Sequence, residues 1–371
     1  MRLNVLGEAD PRYFFSLLFY WIALLLRVSF FTQNMSDAFF PVSYSILQAD
    51  RLAAHIATRY PLDPIRTCRL WKRGMSDTYL VETTTDRYIL RVAHAHWRSR
   101  DDVQFEMELL DFLHQQLLPV AHPLRTHHGD LLLKLVAPEG DRYATLVTYA
   151  PGEVPVGDFN QTQSTHLGRT LAQLHQATQQ FQPSSDRQIL DFDHLVDQSL
   201  DLILPQINNP SLITYLETTR TQLHEQLKSL PQTPPYWVIC WGDPHSGNVH
   251  CEGDRQITLF DFDQCGYGWR AFDVAKFLQM ALCSGMRYSV RDAFLAGYQC
   301  HQPLTDIEIA ALTPLTQTAH LWRWGISLNR ALLDEVSRLD NYYFLHRTEQ
   351  LKMLGSHSWK PLQTQLPQYS S

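Results

Sequence analysis

Near residue 150 the 371-residue chain changes period. Before that point, "RTCRLWKRGMSDTYLVETTTDRYILRVAHA" alternates β-branched and aromatic residues around turn signals at Arg73-Gly74 and Thr85-Asp86. Such alternation predicts antiparallel strands joined by tight connections. Ahead of it, "LQADRLAAHIAT" has helical spacing and is stopped by "YPLDP", because proline cannot continue a helix. "DDVQFEMELLDFLHQQLL" is the next helix; it opens on acids suited to a helix N-terminus and sets Phe105, Leu109 and Phe112 along one face. "DLLLKLVAP" and "YATLVTYAPGE" add two more strands, the second ending in Pro151-Gly152. The helical period then takes over, from "STHLGRTLAQLHQATQQF" through "LITYLETTRTQLHEQLKSL" to "IEIAALTPLTQTAHLWRWGISLNRALL", interrupted only by a short β segment, "YWVIC" then "ITLFDFD". A chain of this length can bury two cores. The pattern predicts an α+β fold of two lobes: an antiparallel sheet with one helix over 35–150 and a mostly helical lobe over 151–355, followed by a polar tail, 356–371.

Charge and cysteine usage narrow the partners. A net charge of -7 leaves no basic excess, which argues against nucleic acid as the main partner. Six cysteines without CxxC spacing predict reduced thiols in a cytoplasmic protein. Residues 1–34 stand apart. "YFFSLLFYWIALLL" is nearly all apolar but short of the roughly 20 residues a membrane span needs, and Arg27 interrupts it. It also lacks the basic lead and small-residue cleavage site of a signal peptide. Three readings stay open: the protein starts at Met35, whose following sequence reads as a natural cytoplasmic start; residues 13–31 contact a membrane; or the stretch docks as a core helix.

The chemistry concentrates in "CWGDPHSGNVHC", Cys240 to Cys251. Transfer of a phosphoryl group from ATP to a hydroxyl requires a carboxylate to orient and deprotonate the hydroxyl, oxygen ligands for Mg²⁺, and a cation on the nucleotide. Mg²⁺ keeps several waters, so a few carboxylate or amide oxygens suffice. Asp243 and Asn248, five apart in a loop rich in glycine and proline, meet that need with Asp261 at the end of the next strand, where a hairpin brings it back beside the loop.

"GDPHSGN" followed by "LFDFDQCGYGWRAFDVAKF" resembles the aminoglycoside phosphotransferase and choline kinase family, whose members have a protein-kinase-like, two-lobed fold. Within it, the sequence looks most like the branch holding homoserine kinases of the second type and the bacterial stress-response Ser/Thr kinase. The resemblance runs from about Met35 to about residue 335, with further matches in order. These are "GMSDTYLV" as the loop over the phosphates, "YILRVAH" as the cation-bearing strand, "EMELLDFL" as the partner helix and "LVTYAPGE" as the hinge. The resemblance implies that Asp243 is the catalytic base, that Asn248 and Asp261 hold Mg²⁺, and that Arg91 touches the phosphates and pairs with Glu108, with Glu106 as the alternative partner. It implies nucleotide contacts at Gly74, Ser76 and Asp77, which read equally as a plain hairpin turn, and at Thr148 and Ala150 of the hinge. Asp263 is either a second metal ligand or a polar residue of the hairpin. His245 is expected to fix the loop by hydrogen bonding, and Asp273 to accept from catalytic-loop amides. Two positions depart from the family pattern. Arginine stands at 91 where lysine is usual, and Trp241 replaces the histidine before Gly-Asp, which predicts altered loop packing.

These readings point to an ATP- and Mg²⁺-dependent kinase acting on a hydroxyl of a small molecule or of a protein Ser/Thr. One alternative is a nucleotide-binding regulator without catalysis, motivated by Trp241 and Arg91. A metal-dependent phosphoesterase is a remoter one, since the sequence has no upstream D-x-H strand and few clustered histidines. The acidic stretches Asp191 to Asp201 and Leu332 to Asp340 could attract a cationic acceptor or be solvated helix faces. Trp322 and Trp324 could line a pocket or pack between helices. Oligomeric state is not legible.

Overall fold

The computed structural model describes residues 40–157, 159–333 and 339–356. The apolar segment 1–34, the start at Met35 and the tail from 357 lie outside the described residues. Contacts divide the chain into Met1–Val42 and Ser43–Ser371. Of the first unit only Phe40, Pro41 and Val42 are described, and all three are exposed.

In the second unit, alternation builds the sheet. Strands β1 (Ile65–Arg73), β2 (Ser76–Thr83), β3 (Arg87–Ala93), β4 (Leu133–Ala137) and β5 (Gly140–Thr148) form one sheet in the order β1-β2-β3-β5-β4, with every pair antiparallel. Side chains two apart share a face. Thus Tyr79 and Val81 of β2, Leu90 and Val92 of β3, and Ala144 and Leu146 of β5 form one small core, closed by Leu52 and Ile56 of helix α1 (Ala49–Ala57). Helix α2 (Arg100–Gln115) starts at a reciprocal cap: Asp102 N–H donates to Ser99 Oγ (3.1 Å) and Ser99 N–H to the Asp102 carboxylate (3.0 Å). It turns Phe105, Leu109 and Leu113 into a second, larger core that it shares with the helical lobe.

The helical lobe opens with α3 (Gln161–Ala177), capped by Asn160, and continues through α4 (Gln198–Ile203) and α5 (Pro210–Leu227). It ends with α6 (Arg270–Cys283), α7 (Tyr288–Gln299), α8 (Asp306–Leu333) and α9 (Asn341–Leu354). Five short strands are set into it: β6 (Ile189–Leu190), β7 (Trp237–Cys240), β8 (Val249–Glu252), β9 (Gln256–Leu259) and β10 (Gly266–Trp269). Here pairing departs from the sequence expectation. The strand "WVIC" pairs with β10, Cys240 opposite Gly266, and not with the strand that leads to Asp261. The returning hairpin is instead β8–β9, Val249 opposite Leu259, and β8 begins inside the Cys240–Cys251 motif. With His250 and Glu252 among its four residues, β8 carries too thin an apolar alternation to be read as a strand. The six cysteines are free thiols. Among the described residues, no helix is long and apolar enough to cross a membrane.

Candidate active site

The loop after β7 is anchored from beneath by one carboxylate. Asp273, fully buried in the first turn of α6, accepts from the amides of Trp241 (2.6 Å) and Gly242 (2.8 Å). His175 Nε2 on α3 bonds the same carboxylate (3.0 Å), and its Nδ1 meets the Tyr298 hydroxyl on α7 (2.8 Å). His175, Cys240 and Asp273 lie close enough to suggest a metal, but the ring nitrogens and carboxylate are already hydrogen-bonded, and Cys240 Sγ donates to Trp269 O (3.2 Å). Gly242 has φ +87°, and a Cβ there would come within 2.2 Å of the Gln264 carbonyl, so the turn admits only glycine.

From this base the loop presents Asp243. His245 Nδ1 accepts from Gly247 N–H (2.9 Å), which leaves Nε2 protonated in the neutral ring and donating to Asp243 Oδ2 (3.2 Å). Asn248 Nδ2 donates to the Asp243 carbonyl (3.1 Å), so its amide oxygen is the end not used by the loop. Lys276, buried on α6, sets its ammonium 3.5 Å from Asp243 Oδ1. Burial opposes ionisation of Asp243, but Lys276 and His245 outweigh it and hold the carboxyl well below the usual carboxylate range.

The β8–β9 hairpin returns the chain to Asp261, with Phe260 N–H donating to Asn248 O (3.1 Å). Asp261 adopts φ +59°, a left-handed conformation unusual for a non-glycine residue. Trp241 holds it there. The fully buried indole donates to the Asp261 carbonyl (3.2 Å) and lies against Phe262. The tryptophan before Gly-Asp is therefore a packing residue that also ties the loop to Asp261. The Asp261 carboxylate is 45% exposed, with Arg91 Nη2 at 3.9 Å.

Three expectations are corrected. Arg91 pairs with Glu106, not Glu108, which instead accepts from Gln104 Nε2 (2.8 Å) and Ser184 N–H (2.9 Å). Residues two apart on a helix point in nearly opposite directions, and Glu106 is on the sheet side. Asp263 is not left as a metal ligand: Trp97 Nε1 (2.8 Å) and Arg98 Nε (3.2 Å) occupy its two oxygens, with Arg91 at 3.6 Å. Burial opposes its ionisation, but Arg98, Arg91 and Arg187 hold it down to about 2. Asp77 is no phosphate contact either. Its place in β2 shares the inward face with Tyr79 and Val81, and its buried carboxylate pairs with Arg142 Nη2 at 2.8 Å.

Gly74 and Ser76 form the β1–β2 turn, Gly74 N–H donating to Ser76 O (3.1 Å). In the hinge, Thr148 N–H donates to His122 O (2.9 Å), and the Ala150 carbonyl bonds His250 Nδ1 (2.6 Å), tying the hinge to β8. Beneath this region Arg187 binds the carbonyls of Asp263 and Cys265 (2.8 Å to the latter) and also Asp102 O at the start of α2 (2.9 Å).

The family model described as "Phosphotransferase enzyme family" matches residues 67–312. The chain belongs to that family. This phosphotransferase is 48% identical to an uncharacterized protein of Synechocystis sp., over 86% of its own length and 89% of the relative's. It is 27% identical to the amicoumacin kinase of Bacillus subtilis, over 69% and 75% of the two chains. The fold is that of the microcompartment-associated aminopropanol kinase, with TM-score 0.69, 17% identity, and coverage of 86% of this chain and 100% of that one. Like its family, this phosphotransferase is a kinase with an alcohol group as acceptor.

Sequence reading of this phosphotransferase missed Trp97, Arg98, Arg187 and Lys276. Lys276 left a signal: it is the one charge in the apolar run "VAKFLQMAL", and a lysine in such a run is seldom buried without a partner. The arginines carried none, because their partners lie far away in sequence.

Proposed function

We propose that this phosphotransferase moves the γ-phosphoryl group of ATP, with Mg²⁺, onto a hydroxyl of a small molecule, and that Asp243 is the base. The observation that carries the reading is the convergence of Asp243, Asn248 and Asp261 through the anchored loop and the β8–β9 hairpin. The acceptor oxygen forms the new bond to the γ-phosphorus, the bond to the β–γ bridging oxygen breaks with its electron pair leaving on ADP, and the hydroxyl proton passes to Asp243. A carboxylate held ionised by Lys276 is ready to accept that hydrogen bond, and His245 fixes its second oxygen.

The donor set suits Mg²⁺. The oxygen of Asn248 and the exposed carboxylate of Asp261 are hard oxygen donors, whereas Asp263 is consumed by Trp97 and Arg98. Bound there, the ion would supply charge neutralisation on the phosphates. Arg91, held by Glu106, is assigned to the phosphates, Gly74 and Ser76 to the loop over them, and Thr148 and Ala150 to the hinge beside the base.

Asp243→Ala is expected to lower turnover by about a hundred- to ten-thousand-fold while nucleotide binding persists. Asp261→Ala is expected to abolish Mg²⁺-dependent nucleotide binding. ADP release and nucleotide titration calorimetry on both variants test this, and equal mild losses in the two would sink the assignment.

A further inference from the structure

Three carboxylates crowd one guanidinium. Arg91 stands on β3, the middle strand of the five-stranded sheet, with its side chain 16% exposed. Its Nη1 pairs with Glu106 of α2, and its Nη2 lies 3.9 Å from Asp261 Oδ1 and 3.6 Å from Asp263 Oδ1. A guanidinium can face both ways because its terminal nitrogens are held apart in one plane, whereas a lysine ammonium is a single point of charge. Paired with Glu106, a lysine at 91 would leave the aspartate side open. The arginine is also fixed at both ends. Its backbone is set by β3, where Arg91 stands opposite Thr78 of β2 and Thr145 of β5, and its tip by Glu106.

Protein-kinase-like phosphoryl transfer commonly places two Mg²⁺ on the phosphates, and two ions need protein oxygens facing both. Here the oxygens run out. Asp263 Oδ2 accepts from Trp97 Nε1 (2.8 Å) and Arg98 Nη2 (3.4 Å), and its Oδ1 from Arg98 Nε (3.2 Å), with Arg91 beside it. Asp261 has Arg91 beside Oδ1, while its Oδ2 accepts no hydrogen bond among the described residues. A metal ion on Oδ1 would share that oxygen with a guanidinium, and like charges so close repel. What is left is Asp261 Oδ2 and the amide oxygen of Asn248, whose Nδ2 is spent on the Asp243 carbonyl (3.1 Å). That set suits one Mg²⁺, which takes one or two protein oxygens and completes its shell with phosphates and waters.

We infer that Arg91 stands in for a second metal ion. A single Mg²⁺ on Asn248 and Asp261 serves the transfer, and the Arg91 guanidinium supplies the other positive charge to the phosphates. This rests on the phosphotransferase reading of Asp243, Asn248 and Asp261, and it adds the number of ions and the purpose of arginine at 91. A cation carried by the chain is present at any metal concentration, so only the first ion has to be gathered from solution.

The test counts Mn²⁺, which favours the same oxygen donors as Mg²⁺, on the full chain mixed in equal amount with a non-hydrolysable ATP analogue. Electron paramagnetic resonance reads the free ion, and two bound ions side by side reveal themselves by spin coupling. The expected result is one uncoupled Mn²⁺ per wild-type complex and a second, coupled ion in Arg91→Lys, which keeps a positive charge on Glu106. Two coupled ions in the wild type overturn the inference and leave the kinase reading standing. One ion in both proteins overturns the part given to arginine. Thermal melts check the variant; should its fold be lost, the wild-type count decides, one ion upholding the inference and two overturning it. Failure of the underlying reading looks different: the analogue then binds equally with and without Mn²⁺, in the wild type and in Asp261→Ala alike, and the inference falls with it.

Discussion

Trp241 shows how a single substitution in a family motif can be absorbed. Its indole N–H meets the Asp261 carbonyl, so the loop and the left-handed Asp261 are joined by one donor inside a buried contact with Phe262. Trp241→Phe keeps most of the volume and removes the donor. Leaving that carbonyl unpaired is expected to cost about 1–3 kcal/mol and to raise the Mg²⁺ concentration needed for half-maximal activity. Chemical unfolding and a Mg²⁺ titration check it, and an unchanged Mg²⁺ requirement would count against the tie to Asp261. The two glutamates of α2 give a sharper contrast. Glu106 is 3% exposed against Arg91, and Glu106→Ala is expected to cost about 3 kcal/mol or more together with most activity, because it removes one half of a buried pair. Glu108→Ala, which loses bonds to Gln104 and Ser184 at a partly exposed position, is expected to cost about 1 kcal/mol and spare activity. Measuring both stabilities and both rates would expose an error if the order were reversed.

At the scale of elements, α3 and α7 cross at a pair of glycines. A Cβ on Gly168 would stand 2.0 Å from Phe294 O, and one on Gly297 would stand 2.2 Å from Thr165 O. Neither neighbour is a flexible side chain, so Gly168→Ala must push the helices apart. The expected loss is about 2–3 kcal/mol. It would also tilt His175 away from Asp273 and so lower kcat, which melts and steady-state rates would reveal. The sequence displayed the elements with strong periods: the strand pairs around Gly74 and Asp86, the capped helix α2, and the long helices that follow. It also displayed Asp243, Asn248 and Asp261, because their spacing is local. What it hid was pairing. The four-residue strands β7 to β10 are too short for periodicity to choose partners, and Glu106 against Glu108 is decided by a rotation about the helix axis that the motif does not encode. Asp77 and Asp263 looked like ligands because their arginine partners, Arg142 and Arg98, are distant in sequence.

Across the whole molecule, the buried carboxylates set an acid limit. Burial opposes the ionisation of Asp77, but His94, Arg142 and Tyr44 hold it down to about 2, as the arginines do for Asp263. Unfolded, both would titrate near about 3.9. Between those values the unfolded chain binds more protons than the folded one, so this stability is fully present above about pH 4 and is lost as pH falls towards about 2. Melting temperature should therefore drop steeply below about pH 4, after a shallower decline from about pH 6.5 caused by His320, whose burial lowers it to about 4; Asp77→Asn should flatten part of the steep drop, and a melting temperature indifferent to acid would refute the assignment. Arg187 acts at the same scale. It holds the carbonyls of Asp263 and Cys265 and the first turn of α2 with one guanidinium, in a structure where Arg91 and Glu106 already meet. One guanidinium thus clamps the segment after Asp261 to the helix that carries Glu106, so neither side can shift without giving up those bonds.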